Sequence, residues 1–216
     1  MTRNSYDEQL KGLYHETVLM AGMVENALSQ ACKAVERQDY SLARVIMDGD
    51  EEINDKQSKI ENDCIELIAT QQPIAKDLRL LISILNIITD LERMGDHAAD
   101  ICEVFIETQG EGCPKLKNLP QITSLTSEMV KRAVDAYAYN DAEGAAKVRE
   151  MEEELDQEFA AQMTQLEDFL QQHPASIRTG IRFILILKYL ERVGDHATNL
   201  CESVIYNVTG KHEKLN

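Results

Sequence analysis

The chain carries the same eight-residue motif twice, and this repeat constrains its fold more than any other feature. Residues 91–98 read LERMGDHA and residues 190–197 read LERVGDHA, so the copies differ at one position. The correspondence continues into a Cys-Glu pair at residues 102–103 and again at 201–202. A repeat at this separation favours two copies of one structural unit, and 216 residues suffice for two small domains.

Apolar periodicity and composition predict a helical chain. Glycine and proline are scarce, at 10 and 4 residues, and aromatic residues make up 5% of the sequence. In the first half, apolar residues recur every three or four positions along three segments, separated by turns near 38–41 and at 71–73. Matching turns fall near 139–142 and 171–174. We therefore predict an all-α fold of two tandem three-helix bundles, six long helices in total, related by pseudo-twofold symmetry.

The boundary between the two units is predicted at residues 109–115, the one stretch dense in glycine and proline. The first bundle is expected to span residues 1–108, the linker 109–119 and the second bundle 120–216. The offset between the copies falls from 102 to 99 after the second turn, so the deletion falls in a connector and helix lengths are kept.

The formal net charge of −16 limits the kinds of partner. Such a surface repels phosphate backbones and anionic lipid headgroups, so neither nucleic acid binding nor direct membrane insertion is expected. It suits cations or a basic partner surface. Acidity that serves solubility alone remains an equal alternative on charge alone.

Cysteine use and the absence of long apolar stretches predict a cytoplasmic protein. The five cysteines include no Cys-x-x-Cys pair, and we expect most to be buried free thiols in a reducing compartment. The first residues lack the apolar core of a signal peptide. The apolar stretches 80–88 and 181–187 fall far short of the ~20 residues that span a bilayer.

Paired carboxylates mark the third helix of each predicted bundle. Glu92 and Asp96 are four residues apart, so they lie one above the other on a helix, at the inward edge of its apolar face. When the chain folds back at Pro73, Asp50 and Asp96 are each 23 residues from the bend. Antiparallel packing therefore places Asp50 and Asn54 level with Asp96 and Glu92.

The second half repeats this arrangement with Glu191 and Asp195 facing Glu152 and Asp156 across the turn at His173. A carboxylate at the inward edge of a bundle is costly unless it is paired or bound to metal. Oxygen ligands alone suit Mg, Mn, Ca or oxidised Fe. The alternative is that Glu92 and Glu191 pair with basic side chains of neighbouring helices while the aspartates are solvated.

Glycine and histidine follow the carboxylates in both copies of the motif. Gly95 and Gly194 each cost about 1 kcal/mol in mid-helix, which indicates close approach either to a metal or, more plainly, to a neighbouring helix. His97 and His196 project about 140° from the glutamates and are expected on a polar, hydrogen-bonded or solvated surface. Four arginines are expected on the same face, where they form either a solvated charged strip or a contact with a partner: Arg79, Arg93, Arg178 and Arg192.

These residues resemble the PhoU family. The resemblance rests on Gln71-Gln72-Pro73, on Asp77-Leu78-Arg79 and on the doubled Glu-Arg-x-Gly-Asp-His-Ala, and it covers nearly the whole chain. It implies tandem three-helix bundles in a cytoplasmic accessory protein of high-affinity phosphate import. It further implies negative control of the phosphate-starvation response through contacts with the importer's ATPase (PstB) and the sensor histidine kinase (PhoR), and a homodimer.

The resemblance also implies metal binding through pairs of Glu/Asp-x-x-x-Asp motifs. The carried-over positions are Glu92, Asp96, Asp50 and Asn54 in the first half and Glu191, Asp195, Glu152 and Asp156 in the second. Asn54 departs from an all-carboxylate set, so the first site has less charge to offer. The identity of the ion (Mg, Mn or Fe) stays open.

Enzymatic alternatives are weaker. The chain has no P-loop and no Gly-x-Ser-x-Gly, so a non-enzymatic regulator is expected. A di-iron carboxylate (ferritin-like) redox protein would need Glu-x-x-His on two helices, whereas Gly follows Glu92 and Glu191 at that spacing. A direct phosphate sensor would need an arginine cluster or a glycine-rich anion nest, and neither is evident in the sequence.

Overall fold

The computed structural model describes residues 3–109 and 119–215, which are almost entirely helical. The predicted all-α class is confirmed. The α-helices of the described residues run, in order, α1 Arg3–Arg37, α2 Tyr40–Asp48, α3 Asp50–Gln71, α4 Ala75–Ile106, α5 Leu119–Tyr139, α6 Ala142–Ala146, α7 Val148–Gln172 and α8 Ile177–Thr209. A short 3-10 turn, Pro174–Ser176, leads into α8.

Two of the six predicted helices are divided. The second is broken at Gly49 into α2 and α3, and the fifth at Lys147 into α6 and α7. At Gly49 the backbone N–H bonds to the carbonyls of both Val45 and Ile46, at 3.2 and 3.1 Å. The N–H of Lys147 reaches the Gly144 carbonyl, three residues back, at 3.2 Å. Both breaks are therefore local tightenings of the helix to 3-10 bonding.

The turns use the chemistry that the sequence indicates. Asp39 caps α2 by accepting hydrogen bonds from the backbone N–H groups of Ser41 and Leu42, and Asp141 caps α6 by accepting one from the N–H of Gly144. Gln38 and Asn140, at equivalent positions of the two halves, both adopt left-handed backbone conformations with φ of 56° and 52°. The two halves therefore bend by the same device.

An antiparallel pair, α4 and α8, lies at the centre of the fold and makes the most extensive contact among the described helices. Asp90 of α4 meets His196 of α8 at 3.0 Å, while His97 stacks on Tyr189 with ring centroids 5.4 Å apart. These contacts are reciprocal, because Asp90 and Tyr189 are 99 residues apart in the sequence, as are His97 and His196. A twofold relation of the two halves therefore passes through this crossing.

The remaining helices cover α4 and α8 from either side. α1, α2 and α3 pack on α4, whereas α5, α6 and α7 pack on α8, and α1 also contacts α5. Buried apolar side chains form one continuous core through both halves. The division into residues 1–108, 109–119 and 120–216 stays a prediction, and nearly all of the linker lies outside the described residues.

Four cysteines are buried free thiols, as predicted: Cys32, Cys64, Cys102 and Cys201. Burial raises the pKa of each to about 12. Cys113 lies outside the described residues. Across 3–109 and 119–215, no helix is both long enough and apolar enough to cross a membrane.

Candidate metal centre

The first carboxylate set comes together where α3 begins beside the middle of α4. Asp50 is the first residue of α3, and Asn54 donates a hydrogen bond from its amide to the Asp50 carboxylate at 3.0 Å. The charge of Asp96 raises the pKa of both Asp50 and Glu92, and the charge of Asp50 also raises that of Glu92. The structure therefore brings together the four predicted side chains from positions far apart in sequence.

Two oxygen atoms of this set are buried without a hydrogen-bond partner. They are Oδ1 of Asp50 and Oδ1 of Asn54, each with almost no solvent exposure. A buried acceptor without a donor is costly, because it has lost its hydrogen bonds to water. A bound cation would satisfy both oxygens, and oxygen is the ligand that hard cations prefer.

Burial and mutual repulsion disfavour the charged forms of the first set. The pKa of Asp50 is raised by burial first and then by the charge of Asp96. The pKa of Glu92 is also raised by burial and by Asp96, while the neighbouring Arg93 opposes the shift. Acids destabilised in this way gain from any nearby positive charge.

The second carboxylate set joins α7 to α8 at the equivalent place. Glu152 is only 9% exposed, and its pKa is raised by burial and by the charges of Asp195 and Asp156, against a nearby Thr198 hydroxyl that lowers it. The pKa of Asp195 is raised by burial and by Glu191. Asp156 is exposed, so it forms the outer edge of this set.

Basic side chains of the same helices partly neutralise both sets. Arg93 lies 3.4 Å from Glu92 and 3.0 Å from Asp96. Lys188 donates to both oxygens of Glu191, at 2.6 and 2.5 Å. The alternative of ion pairs is thus realised within α4 and α8 themselves, rather than with neighbouring helices. A cation would have to displace these exposed side chains.

Among the described residues the carboxylates do not form a preassembled metal site. Within 3–109 and 119–215, no group of three or more histidine, cysteine, aspartate or glutamate side chains is already arranged to hold a metal ion. Metal binding at the eight positions therefore stays a prediction. It would require the carboxylates to turn from their present partners toward a shared ion.

The motif glycines allow close helix packing. A Cβ on Gly95 would lie 3.2 Å from two side-chain carbons of Ile53 and 3.5 Å from Oδ1 of Asp50. A Cβ on Gly194 would overlap Cδ2 of Leu155. The neighbours that a side chain at these two positions would meet are therefore residues of α3 and α7.

The expected surface position of the motif histidines is wrong for His97. His97 is 6% exposed, its ring packs against both Tyr189 and His196, and it hydrogen-bonds to Asp100 at 3.2 Å. His196 is half-buried and pairs with Asp90. The part of the polar side of α4 that carries His97 is covered by the second half, whereas Arg93 on the same side stays exposed. The sequence feature that could have indicated this burial is a histidine repeated at the same motif position in both halves, away from the apolar stripe.

A family model described as "PhoU domain" matches the chain twice, at residues 17–105 and 119–204. A protein of Clostridium acetobutylicum named "Phosphate-specific transport system accessory protein PhoU homolog" is 36% identical over the full length of both chains. The Escherichia coli protein named "Phosphate-specific transport system accessory protein PhoU" is 31% identical over 95% of this chain and 86% of its own.

Two solved structures have the same fold as this chain. The crystal structure of PhoU from Pseudomonas aeruginosa superposes with a TM-score of 0.92 at 34% identity, covering 95% of this chain and all of the other. The phosphate transport system regulatory protein PhoU from Streptococcus pneumoniae gives a TM-score of 0.90 at 30% identity, covering 97% and 99% of the two chains.

Proposed function

The chain belongs to the PhoU family, and from that membership we propose that it is a non-enzymatic accessory protein of phosphate import. It restrains the importer and the phosphate-starvation response while phosphate is plentiful. The observation that carries this proposal is likeness along the whole chain to relatives named for a phosphate-specific transport system, in sequence and in fold.

The proposed mode of action is that of an adaptor in the cytoplasm. It contacts the transporter ATPase, PstB, and the sensor histidine kinase, PhoR, and so couples transport to signalling. A homodimer is part of this proposal. Long helices packed on a central antiparallel pair provide extended, rigid outer surfaces, which suit contact with large partners.

Gene deletion and co-purification test this role together. Loss of the protein should raise both phosphate uptake and expression of a starvation-controlled reporter in phosphate-rich medium. Tagged protein should co-purify with PstB and with the cytoplasmic region of PhoR. Unchanged reporter expression in the deletion strain, with no capture of either partner, would refute the adaptor proposal.

We further propose that the carboxylate sets hold metal ions within this regulator. The donor chemistry fits the group, since the first set offers two buried oxygens without partners and both sets contain acids with raised pKa values. The residues that would hold the ions are Asp50, Asn54, Glu92 and Asp96 in the first half and Glu152, Asp156, Glu191 and Asp195 in the second. A bound Mg, Mn or Fe ion would supply positive charge that relieves repulsion among these side chains and links neighbouring helices.

Elemental analysis of purified variants tests the metal sites. The double variant Glu92→Gln/Glu191→Gln should lose metal, because each set loses a charged ligand while side-chain size is kept. The matched control is Glu61→Gln/Glu167→Gln, since both glutamates are exposed and lie outside the sets. Equal metal content in the two double variants would remove the site assignment and leave the adaptor proposal standing.

The di-iron alternative gains no support from the geometry of the motif. Gly95 and Gly194 stand at the positions where that class requires histidine, and they pack against Ile53 and Leu155. His97 and His196 are engaged with Asp100 and Asp90 at the α4–α8 crossing. Oxidation of bound ferrous iron by dioxygen with turnover would revive this alternative.

A further inference from the structure

The exposed side of the first half of α8 carries only apolar and basic side chains. Three large apolar residues, Ile177, Ile181 and Leu185, are 59%, 53% and 42% exposed. The other exposed positions between residues 177 and 192 are Arg178, Lys188 and Arg192. At about 100° per residue these six positions fall within an arc of about 100°, and they extend about 22 Å along the helix.

The repeat places a related strip on α4. Ile82, Asn86, Thr89 and Arg93 are exposed and precede Ile181, Leu185, Lys188 and Arg192 by 99 residues each. A twofold axis that exchanges two antiparallel helices stands perpendicular to the plane through both, so the two strips look out on the same side. We call this surface the α4–α8 face, formed by Ile82, Asn86, Thr89, Arg93, Ile177, Arg178, Ile181, Leu185, Lys188 and Arg192.

The charge of this face contrasts with that of the whole chain. The protein carries a net charge of −16, yet all four charged residues of the face are basic. Acidic side chains border it: half-buried Glu92 and Asp96 beside Arg93, half-buried Glu191 beside Lys188, exposed Glu103 of α4, and exposed Glu107, which follows α4 and pairs with Arg182 of α8 at 3.0 Å. Exposed acids are concentrated on α3 and α7, at Glu51, Glu52, Asp55, Glu61 and Glu66 and at Glu150, Glu153, Glu154, Asp156, Glu167 and Asp168.

We infer that the α4–α8 face is the docking surface for an acidic amphipathic helix of a partner protein. Apolar residues spaced i, i+4 and i+8 along α8 form a straight ridge, against which a second helix packs its own apolar stripe. Arg178 lies at one edge of that ridge, and Lys188 and Arg192 continue it toward the middle of α8, where they complement acidic residues of such a helix. The inference deepens the proposed adaptor role, because it assigns one face to the contact with PstB or PhoR.

A membrane surface or a second copy fits this face less well. An anionic bilayer would meet the field of a chain with a net charge of −16, which opposes approach. A second copy that used the same face would bring Arg93, Lys188 and Arg192 against their own counterparts, and like charges across an interface are unfavourable. An acidic helix meets neither obstacle.

Matched charge variants of the full chain test the inference against the proposed partners. Ile181→Glu places an acid on the face, whereas Ile65→Glu places one at an equally exposed position on α3, since Ile65 is 52% exposed. Both should keep the helical circular dichroism and melting temperature of the wild type, because both positions are exposed. Affinity for PstB or the cytoplasmic region of PhoR should fall at least about tenfold in Ile181→Glu, as for loss of one central interface residue, and stay unchanged in Ile65→Glu.

A second measurement uses a probe that does not depend on those partners. The probe is a designed helical peptide with an apolar stripe flanked by glutamates, and its control has lysines in place of the glutamates. Wild-type protein should bind the acidic peptide, with slowed amide hydrogen exchange at residues 177–192, while the lysine peptide and Ile181→Glu protein should not bind. Binding of the acidic peptide together with failure of both PstB and PhoR to bind would refute the adaptor role and leave the docking surface.

Four results would overturn the inference. The first is equal affinity of Ile181→Glu and wild type for a partner that binds. The second is no binding of the acidic peptide to wild-type protein. The third is binding of wild-type protein to vesicles containing phosphatidylglycerol in preference to the acidic peptide. The fourth is a dimer that becomes monomeric in Ile181→Glu by sedimentation, which would assign the face to a second copy.

Discussion

The imidazole rings of His97 and His196 lie 5.7 Å apart, centroid to centroid, where α4 of the first half crosses α8 of the second. Each histidine is anchored by an aspartate through Nδ1, His97 by Asp100 of its own helix and His196 by Asp90 of the opposite helix. The repeated motif therefore has two structural uses. It presents carboxylates to a neighbouring helix of its own half, α3 or α7, and a histidine to the other half of the molecule.

Replacement of the two motif histidines by alanine should have unequal effects on stability. His97→Ala removes a ring that is 6% exposed and stacked on Tyr189, so we expect a loss of about 2 kcal/mol in the free energy of unfolding. His196→Ala removes a more exposed ring and should cost about half as much. Urea denaturation of both variants measures the difference, and an equal loss would contradict the assignment of His97 to the buried centre.

Alanine substitution at the two motif glycines should affect thermal stability differently in the two halves. In Gly194→Ala the new methyl group overlaps Leu155, which is 1% exposed and has little room to move, and overpacking of this kind costs about 1–3 kcal/mol. In Gly95→Ala the neighbours are Ile53 carbons at 3.2 Å, which need yield only slightly. The helical gain of about 1 kcal/mol is common to both variants. Thermal unfolding should rank Gly194→Ala below Gly95→Ala, and the reverse order would refute the packing account.

The buried carboxylate of Glu152 should make the protein less stable as the pH rises. Burial, Asp195 and Asp156 raise its pKa, so the folded state holds the proton more tightly than the unfolded state does. Stability is therefore lost as the pH climbs from the ordinary glutamate value through the raised one, and it stays lower above that point. Glu152→Gln should match wild type near about pH 4 and be more stable than wild type at about pH 7.

Urea denaturation in the presence of a chelator, at several pH values, checks this dependence, because a bound cation would favour the ionised form. Glu153→Gln is the matched control, since its side chain is 71% exposed. If the stability advantage of Glu152→Gln does not change with pH, ionisation of the buried Glu152 carboxylate is not its cause.

The four buried thiols should be unreactive in the folded protein. Burial raises the pKa values of Cys32, Cys64, Cys102 and Cys201 to about 12, so almost no thiolate forms at about pH 8. In a Cys113→Ser background, Ellman's reagent should label the native protein slowly and label four thiols per chain after denaturation. Rapid labelling of the native variant would show that one of these side chains is accessible.

The helices could be predicted from local apolar periodicity, and the grouping of the first carboxylate set could be predicted from antiparallel packing on either side of a turn. Apolar spacing locates the segments, and counting residues from Pro73 places Asp50 level with Asp96. The breaks at Gly49 and Lys147 could not be predicted, since the apolar stripe passes through each of them with little change. They depend on a slight local tightening of the backbone rather than on a change of pattern.

The burial of His97 could not be predicted because it depends on how the two halves meet. Angles around α4 describe one bundle, and in that bundle His97 lies away from the apolar stripe. Tyr189 and His196, from the second half, cover that side. The ion pairs of Arg93 and Lys188 could not be predicted either, because side-chain torsions select them among several acids within reach.

The antiparallel crossing of α4 and α8 has a consequence for fragments of this protein. A polypeptide that ends after α4 would leave His97 and the buried side of its longest contact open to water. A second molecule of the same fragment carries a motif almost identical to the missing one in α8 and can pack in its place. The internal pseudo-twofold pair of helices is then replaced by a symmetric dimer. Separately expressed halves should therefore self-pair, and mixing the two halves should exchange those pairs for the native combination.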